Sequence, residues 1–121
     1  MNIFGLVAIQ VAYDFGDIWV DKLLKYLEEN INLVNNFLLK NKMPLYFVLP
    51  ESTYLLWLDF KGYNSTHKKI KSMLYNDAKV ALNDGLTFGK NGSKYFRMNI
   101  ALSKSNLIIA LQKIYENMKK N

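Results

Sequence analysis

The stretch GSKYFRMNIAL, residues 92–102, has the apolar and aromatic composition of a β-strand and carries an arginine in its middle. Sixteen residues of the chain are Lys or Arg, and Arg97 is the one arginine among them. Because successive side chains of a strand point to opposite faces, Phe96 and Met98 are predicted to face a core and Arg97 the other side. The stretch therefore predicts a strand with one buried face and an arginine on its open face.

Arg97 is predicted to share that open face with Tyr95 and Asn99. If the face lines a cleft, the planar guanidinium can hold a carboxylate through two parallel hydrogen bonds, which a lysine ammonium cannot do. The structural alternative is an arginine paired with one of the ten acidic residues of the chain. The residues alone leave these two interpretations equally open.

Three segments upstream of this strand predict the rest of a sheet. LYFVLP (45–50) and TYLLWLDF (53–60) are rich in β-branched and aromatic residues, which favours two strands joined by a turn. KVALN (79–83) is predicted to be a short strand. The segment NDGLTFGKNGS (83–93) contains three of the six glycines and therefore predicts a sharply turning loop.

Two helices are predicted before the sheet. A short helix over 3–13 is expected to close near Gly16, with the glycine in a left-handed stop and Asp17 as the cap of the next helix. From 18 to 39, apolar residues recur every three or four positions, which predicts a long amphipathic helix with one buried stripe: Val20, Leu23, Leu24, Leu27, Ile31, Val34 and Leu38. Pro44 cannot continue a helix, so this helix must end before it.

Two further helices are predicted around the arginine strand. One starts from Asn64 or Ser65 as its cap and runs through about Tyr75, with Ile70, Met73 and Leu74 facing inward. Ser105 is predicted to cap the last helix, whose apolar stripe consists of Leu107, Leu111, Ile114 and Met118.

These elements predict an α+β fold in which a mostly antiparallel sheet of about four strands is covered by helices and preceded by a long helix. A chain of 121 residues suffices for one domain with its own core. We therefore expect a single domain over 1–121, in which 1–41 form a helical lead-in and 42–121 form an α/β sandwich.

Composition excludes several classes of site. The chain has no cysteine and one histidine, His67, so neither thiolate catalysis nor a histidine metal site is expected. No membrane partner and a cytoplasmic location are predicted, because the sequence lacks a long apolar run and a secretory signal. The net charge of +6 leaves one alternative open, a free-standing basic α+β module that binds nucleic acid or protein. Because the lysines are dispersed, no nucleic-acid partner is expected.

Five segments, in order and spacing, resemble one known family: FGLVAIQVAY, WVDKLLKYLEENINLVNNFL, PESTYLLWLDF, AKVALNDGLTFGKNG and YFRMNIAL. Together they resemble the C-terminal part of fold-type I, pyridoxal-phosphate-dependent class I/II aminotransferases, in the branch of the cystathionine β-lyase-like C–S lyases. The resemblance covers nearly the whole chain. It implies a small domain that folds over a cofactor-bearing large domain and closes the active site.

The resemblance also implies site residues. Arg97 falls on the family arginine that binds the α-carboxylate of the amino-acid substrate. Phe88 and Gly89 match the glycine-rich loop near the substrate entrance. A weaker match places Asn2, Phe4 and Gly5 in a segment that approaches the active site of the other subunit in family homodimers.

The family's remaining chemistry lies in a large domain that this chain does not match. That domain carries the lysine that binds pyridoxal 5′-phosphate and the residues that hold the pyridine ring and the phosphate. The resemblance therefore implies no catalytic residue in this chain, no cofactor held by it alone, and an isolated fragment that is inactive. In the complete enzyme, an aminotransferase or a C–S β-lyase, Arg97 would bind the substrate.

Overall fold

The computed structural model describes residues 2–120 as four α-helices and a three-stranded sheet. The helices are α1 (Ile3–Phe15), α2 (Asp17–Lys40), α3 (His67–Ser72) and α4 (Lys104–Lys120). The strands are β1 (Leu55–Asp59), β2 (Asn83–Asp84) and β3 (Tyr95–Asn99). A π-helical turn (Met73–Asp77) extends α3, and two 3₁₀ turns (Gly85–Phe88 and Lys90–Gly92) connect β2 to β3. The predicted α+β class is confirmed.

The arginine strand β3 is the central strand of an antiparallel sheet with the order β1-β3-β2. Phe96 and Met98 on β3 are buried, at 0% and 2% exposure, so the predicted alternation along this strand is correct. Helices α2, α3 and α4 cover the buried face of the sheet. The core between them includes Val34, Leu56, Phe60, Ile70, Leu74, Ile100, Leu111 and Ile114.

Among the described residues, one predicted strand is absent and another is reduced to β2, so the sheet has three strands and the expectation of about four is not met. In 45–50, only Tyr46 pairs with the sheet, through an isolated bridge to Asp59. Pro44 and Pro50 flank this segment, and neither has an N–H to donate to a ladder. In the predicted strand 79–83, Lys79 adopts a left-handed conformation with φ of 55°, and strand pairing begins only at Asn83.

The junction of α1 and α2 differs in detail from the prediction. Gly16 is right-handed, with φ of −83°, and not the left-handed stop that was expected. Glycine is needed there because a Cβ atom would lie 2.2 Å from the carbonyl oxygen of Ala12. Asp17 does not cap α2 but occupies its first turn. Within residues 2–120 no single helix is long and apolar enough to cross a membrane; α1 and α2 would together suffice but are bent by 74°.

The caps of the later helices are displaced by one or two residues from those predicted. Thr66, and not Asn64 or Ser65, accepts a hydrogen bond from the Lys69 amide at the start of α3. At the start of α4, the Ser103 hydroxyl accepts from the Asn106 amide, in place of the predicted cap Ser105. The predicted inner faces are nevertheless correct, since these residues are all buried: Ile70, Met73, Leu74, Leu107, Leu111, Ile114 and Met118.

Residues 2–24 leave a large apolar surface uncovered in this chain. Helix α1 buries none of its residues. On α2, Leu27, Val34 and Leu38 are buried as predicted, but Val20 and Leu24 are 43% and 58% exposed. We define the N-terminal apolar surface by its exposed members Ile3, Phe4, Val7, Val11, Ile18 and Trp19. Its α1 members Ile3, Phe4, Val7 and Val11 line one groove, and an exposed apolar surface of this kind is typical of a protein interface.

Candidate functional site

Arg97 lies at the middle of β3, on the face of the sheet opposite the core. Its direct cross-strand neighbours are Trp57 on β1 and Asn83 on β2. Residues that pair in register point to the same face of a sheet, so these three side chains form one group. The central strand thus presents its arginine between an indole and an amide.

The guanidinium of Arg97 is positioned by neutral groups. Its Nη2 donates to Oδ1 of Asn83 over 3.4 Å, and its central carbon lies 4.6 Å from the ring centre of Phe88. The Nε atom is buried and has no hydrogen-bond partner among the described residues. The Nη2 contact is long, so the outer donors of the guanidinium are largely unused and suit an external acceptor.

No acidic side chain pairs with Arg97 within residues 2–120. The ion pairs of this part of the chain use other basic residues, namely Lys71 with Asp84 and Lys104 with Glu29. The ten acidic residues all lie in this range. The structural alternative, an arginine neutralised by an acid of its own domain, therefore has no support in the observed contacts.

An aromatic row runs beside Arg97 and consists of Phe88, Trp57 and Tyr95. The Trp57 ring stacks on Tyr95 at 5.6 Å between centres and meets Phe88 edge-on at the same distance. At the far end, Lys61 Nζ donates to the Tyr95 hydroxyl over 3.0 Å. Apolar rings beside a guanidinium keep water from one side of it, which strengthens its interaction with an anion.

The loop that carries Phe88 depends on three glycines. Gly89 has φ of 131° and ψ of 165°, a conformation that is essentially restricted to glycine. Gly85 and Gly92 lie against each other, so that a Cβ on Gly92 would be 2.0 Å from the Gly85 carbonyl oxygen. This contact closes the loop and leaves a shallow groove of about 390 Å³ between the loop and Trp57. Of the two matched residues, Phe88 contacts the Arg97 guanidinium, and Gly89 follows it in the loop.

A buried polar cluster lies behind the site. Asp84 is 8% exposed. Its Oδ2 accepts a hydrogen bond from Lys71 Nζ over 2.8 Å, and its Oδ1 lies 3.0 Å from His67 Nε2. Burial on its own would raise the pKa of Asp84, but hydrogen bonds from Lys71, the Leu86 amide and His67 outweigh it and lower this pKa below the usual value. Sequence reasoning missed this cluster because its members are 13 and 17 residues apart and meet only through the fold.

The other matched residues lie away from Arg97. Asn2 caps α1, where its Oδ1 accepts from the Gly5 amide over 2.8 Å, and Phe4 is 82% exposed. No hydrogen bond, ion pair or ring contact in the described part of the chain joins these residues to Arg97. Phe4 belongs to the N-terminal apolar surface, and Asn2 and Gly5 flank it at the start of α1.

The lysines of this chain do not fit a site that holds pyridoxal phosphate covalently. Such a lysine needs a desolvated amine whose pKa is lowered. None of the lysines in residues 2–120 is buried. Hydrogen bonds to Tyr95, Asp84 and Glu29 instead raise the pKa values of Lys61, Lys71 and Lys104, respectively. The arrangement therefore suits recognition of a carboxylate and not attachment of a cofactor.

No family model matches the chain, but comparison with individual proteins finds relatives in sequence and in fold. Cystathionine β-lyase PatB of Bacillus subtilis is 32% identical over 114 residues, which are 94% of this chain and 30% of PatB. A pyridoxal-phosphate-bound structure from Clostridium difficile 630, classed as an aminotransferase, superposes with a TM-score of 0.90 and 39% identity, covering 97% of this chain and 30% of that one.

Cystalysin from Treponema denticola, whose structure contains pyridoxal 5′-phosphate, superposes with a TM-score of 0.90 and 26% identity over 98% of this chain and 30% of cystalysin. The chain thus spans about 30% of the length of the relatives it matches, and the matched part is C-terminal. In sequence and in fold, the chain belongs with the C-terminal domains of fold-type I, pyridoxal-phosphate-dependent C–S lyases of the cystathionine β-lyase kind and the related aminotransferases.

Proposed function

We propose that this chain is the substrate-binding and closing domain of a pyridoxal-phosphate-dependent aminotransferase or C–S β-lyase that acts on amino acids, with Arg97 as the ligand of the substrate carboxylate. One observation carries the proposal: the guanidinium is held by Asn83 and Phe88, both uncharged, and none of the acids in the described residues neutralises it. A half-buried cation without a protein counter-ion suits an anionic ligand.

In the complete enzyme, the cofactor supplies the electron sink for bond cleavage at the amino acid's α-carbon. The contribution of this chain is to orient the substrate. Two parallel hydrogen bonds from Arg97 would fix the carboxylate in a plane, which limits rotation about the bond to the α-carbon. The aromatic row would exclude water from one side of this contact.

The N-terminal apolar surface supports the other half of the proposal. Phe4, Val7 and Trp19 are more than half exposed, although such residues are ordinarily buried. We propose that a large, cofactor-binding domain covers this surface in the complete enzyme, and that the complete enzyme is a homodimer. The cytoplasmic location expected from the sequence stays a prediction.

The isolated chain is expected to retain no pyridoxal phosphate. After incubation with the cofactor and exhaustive dialysis, bound cofactor measured by absorbance should be far below one equivalent, because the chain has no buried lysine in residues 2–120. The complete enzyme, treated in the same way, is the positive control. One equivalent retained by the isolated chain would show that the cofactor site lies in this domain. Salt-sensitive binding of RNA by the chain would instead favour the basic-module alternative.

The isolated chain is also expected to self-associate through the N-terminal apolar surface. Sedimentation velocity should show a mass that rises with concentration, and the double substitution Phe4→Ser with Val7→Ser should shift the chain toward monomer. Val48→Ser, at a 73% exposed apolar position outside this surface, is the matched control and should change nothing. Equal association of both variants would locate the contact elsewhere.

A further inference from the structure

We propose that His67 is a positioning residue for the Arg97 site, which it serves by clamping both ends of the loop that carries Phe88. The value of the clamp for substrate binding rests on the proposed function of Arg97, but the clamp itself is a property of this chain. The geometry points to it because the imidazole contacts the chain just before the loop and just after it.

The first end of the loop is held at Asp84. His67 Nε2 lies 3.0 Å from Asp84 Oδ1, and the same oxygen accepts from the Leu86 amide over 2.9 Å. The Asp84 main-chain carbonyl accepts from the Thr87 hydroxyl over 2.6 Å. The turn that leads to Phe88 is therefore organised around one residue, Asp84, whose carboxylate faces His67.

The second end of the loop is held at Lys94. The Lys94 amide donates to His67 Nδ1 over 2.9 Å, so this ring nitrogen must be unprotonated and the proton of a neutral ring lies on Nε2. The imidazole also stacks on Phe96, with 5.1 Å between centres and 7° between planes. One nitrogen and one face of the ring are thus held by residues 94 and 96, and Nε2 faces the Asp84 carboxylate as a close contact.

The clamp restrains a glycine-rich segment. Three glycines between Gly85 and Gly92 give the loop more freedom in the unclamped state than other residues would. Phe88 contributes to the site only if it stays over the guanidinium of Arg97, and Asn83 only if β2 keeps its register. Because Asp84 lies between Asn83 and the loop, one contact to its carboxylate influences both neighbours of Arg97.

The test replaces His67 with phenylalanine, which keeps a ring to stack on Phe96 and removes both nitrogens. Within the isolated chain, hydrogen exchange of the Leu86, Gly89 and Gly92 amides should accelerate about tenfold, the change expected for loss of one buried hydrogen bond together with the Asp84 contact, while exchange in α4 stays the same. In a Trp19→Phe background, Trp57 reports on its contact with Phe88, and its emission should shift toward that of a hydrated indole. Lys68→Ala, at an exposed position next to His67, is the matched control.

In the complete enzyme, His67→Phe should raise the KM for the amino acid several-fold and leave cofactor affinity unchanged. Unchanged loop exchange and Trp57 emission would overturn the clamp. Suppose that His67→Phe loosens the loop but leaves KM unchanged, while Arg97→Lys raises KM. The clamp would then stand, and the role of His67 in positioning the site would be wrong. If neither variant alters KM, the proposed role of Arg97 fails, and the exchange data still decide the clamp. If His67→Phe does not fold, Lys71→Met removes one contact to Asp84 and should give a smaller acceleration in the same amides.

Discussion

Replacing Asn30 with alanine is expected to lower the free energy of unfolding of the chain by about 2–3 kcal/mol, because the buried Ile100 carbonyl loses its donor and the Leu102 carbonyl keeps only a longer hydrogen bond from the Tyr26 hydroxyl. Asn30 is 0% exposed on α2, and its Nδ2 donates to the carbonyl oxygens of Ile100 and Leu102 over 2.8 and 3.0 Å. These carbonyls lie where the chain leaves the arginine strand and turns into α4, so one amide joins the long helix to the end of β3.

The matched control for this substitution is Asn32→Ala, at an exposed position of the same helix. Both substitutions gain the same few tenths of a kcal/mol of helix propensity, so their difference isolates the buried amide. Urea denaturation followed by circular dichroism measures both free energies. Equal unfolding midpoints for the two variants would show that Asn30 does not hold the strand end.

Replacing Arg97 with lysine is expected to raise the KM of the complete enzyme for its amino-acid substrate by roughly 10- to 100-fold, the equivalent of a charge-assisted contact of about 1.5–3 kcal/mol. Lysine keeps the positive charge but cannot form two parallel hydrogen bonds to a carboxylate. It also loses the planar group that lies over Phe88. Affinity for pyridoxal phosphate should stay the same, because the proposed role of Arg97 concerns the substrate alone.

Lys90→Ala is the control for the Arg97 substitution, since Lys90 is an exposed cation in the adjoining loop and contributes charge without the proposed contact. Its KM should lie within about twofold of the parent, as for most exposed charges. Steady-state kinetics at saturating cofactor measures all three enzymes. Indistinguishable KM values for Arg97→Lys and the parent would contradict the carboxylate role.

The sequence predicted those features of the fold that depend on short-range periodicity. Alternation along β3 placed Phe96 in the core and Arg97 opposite it, since each step of a strand reverses the direction of the side chain. Periodicity also identified the buried stripe of α4. The prediction of a strand over 45–50 was wrong, because β-propensity describes single residues and not whether a neighbouring strand is available to pair with them. Tyr46 is the one residue of that segment with a ladder partner among the described residues.

The candidate site was less predictable than the fold. The resemblance pointed to Arg97 and Phe88, but Asn83, Trp57 and His67 reach the site through strand register and loop closure. No spacing in the sequence encodes such contacts. Helical periodicity likewise predicted that Val20 and Leu24 are buried, yet both are exposed in this chain. An apolar stripe indicates that a helix has a partner, and it does not say whether that partner lies in the same domain.

The most direct test of the account measures how much the substrate's carboxylate contributes to binding, and whether that contribution depends on Arg97. Inhibition constants for an amino acid and for the amine that lacks its carboxylate are compared in the complete parent enzyme and in Arg97→Lys. In the parent, the amino acid should bind at least about tenfold more tightly than the amine. In Arg97→Lys this ratio should fall most of the way to one. The same ratio in both enzymes would mean that the carboxylate is bound by another residue, and the assignment of Arg97 would be wrong.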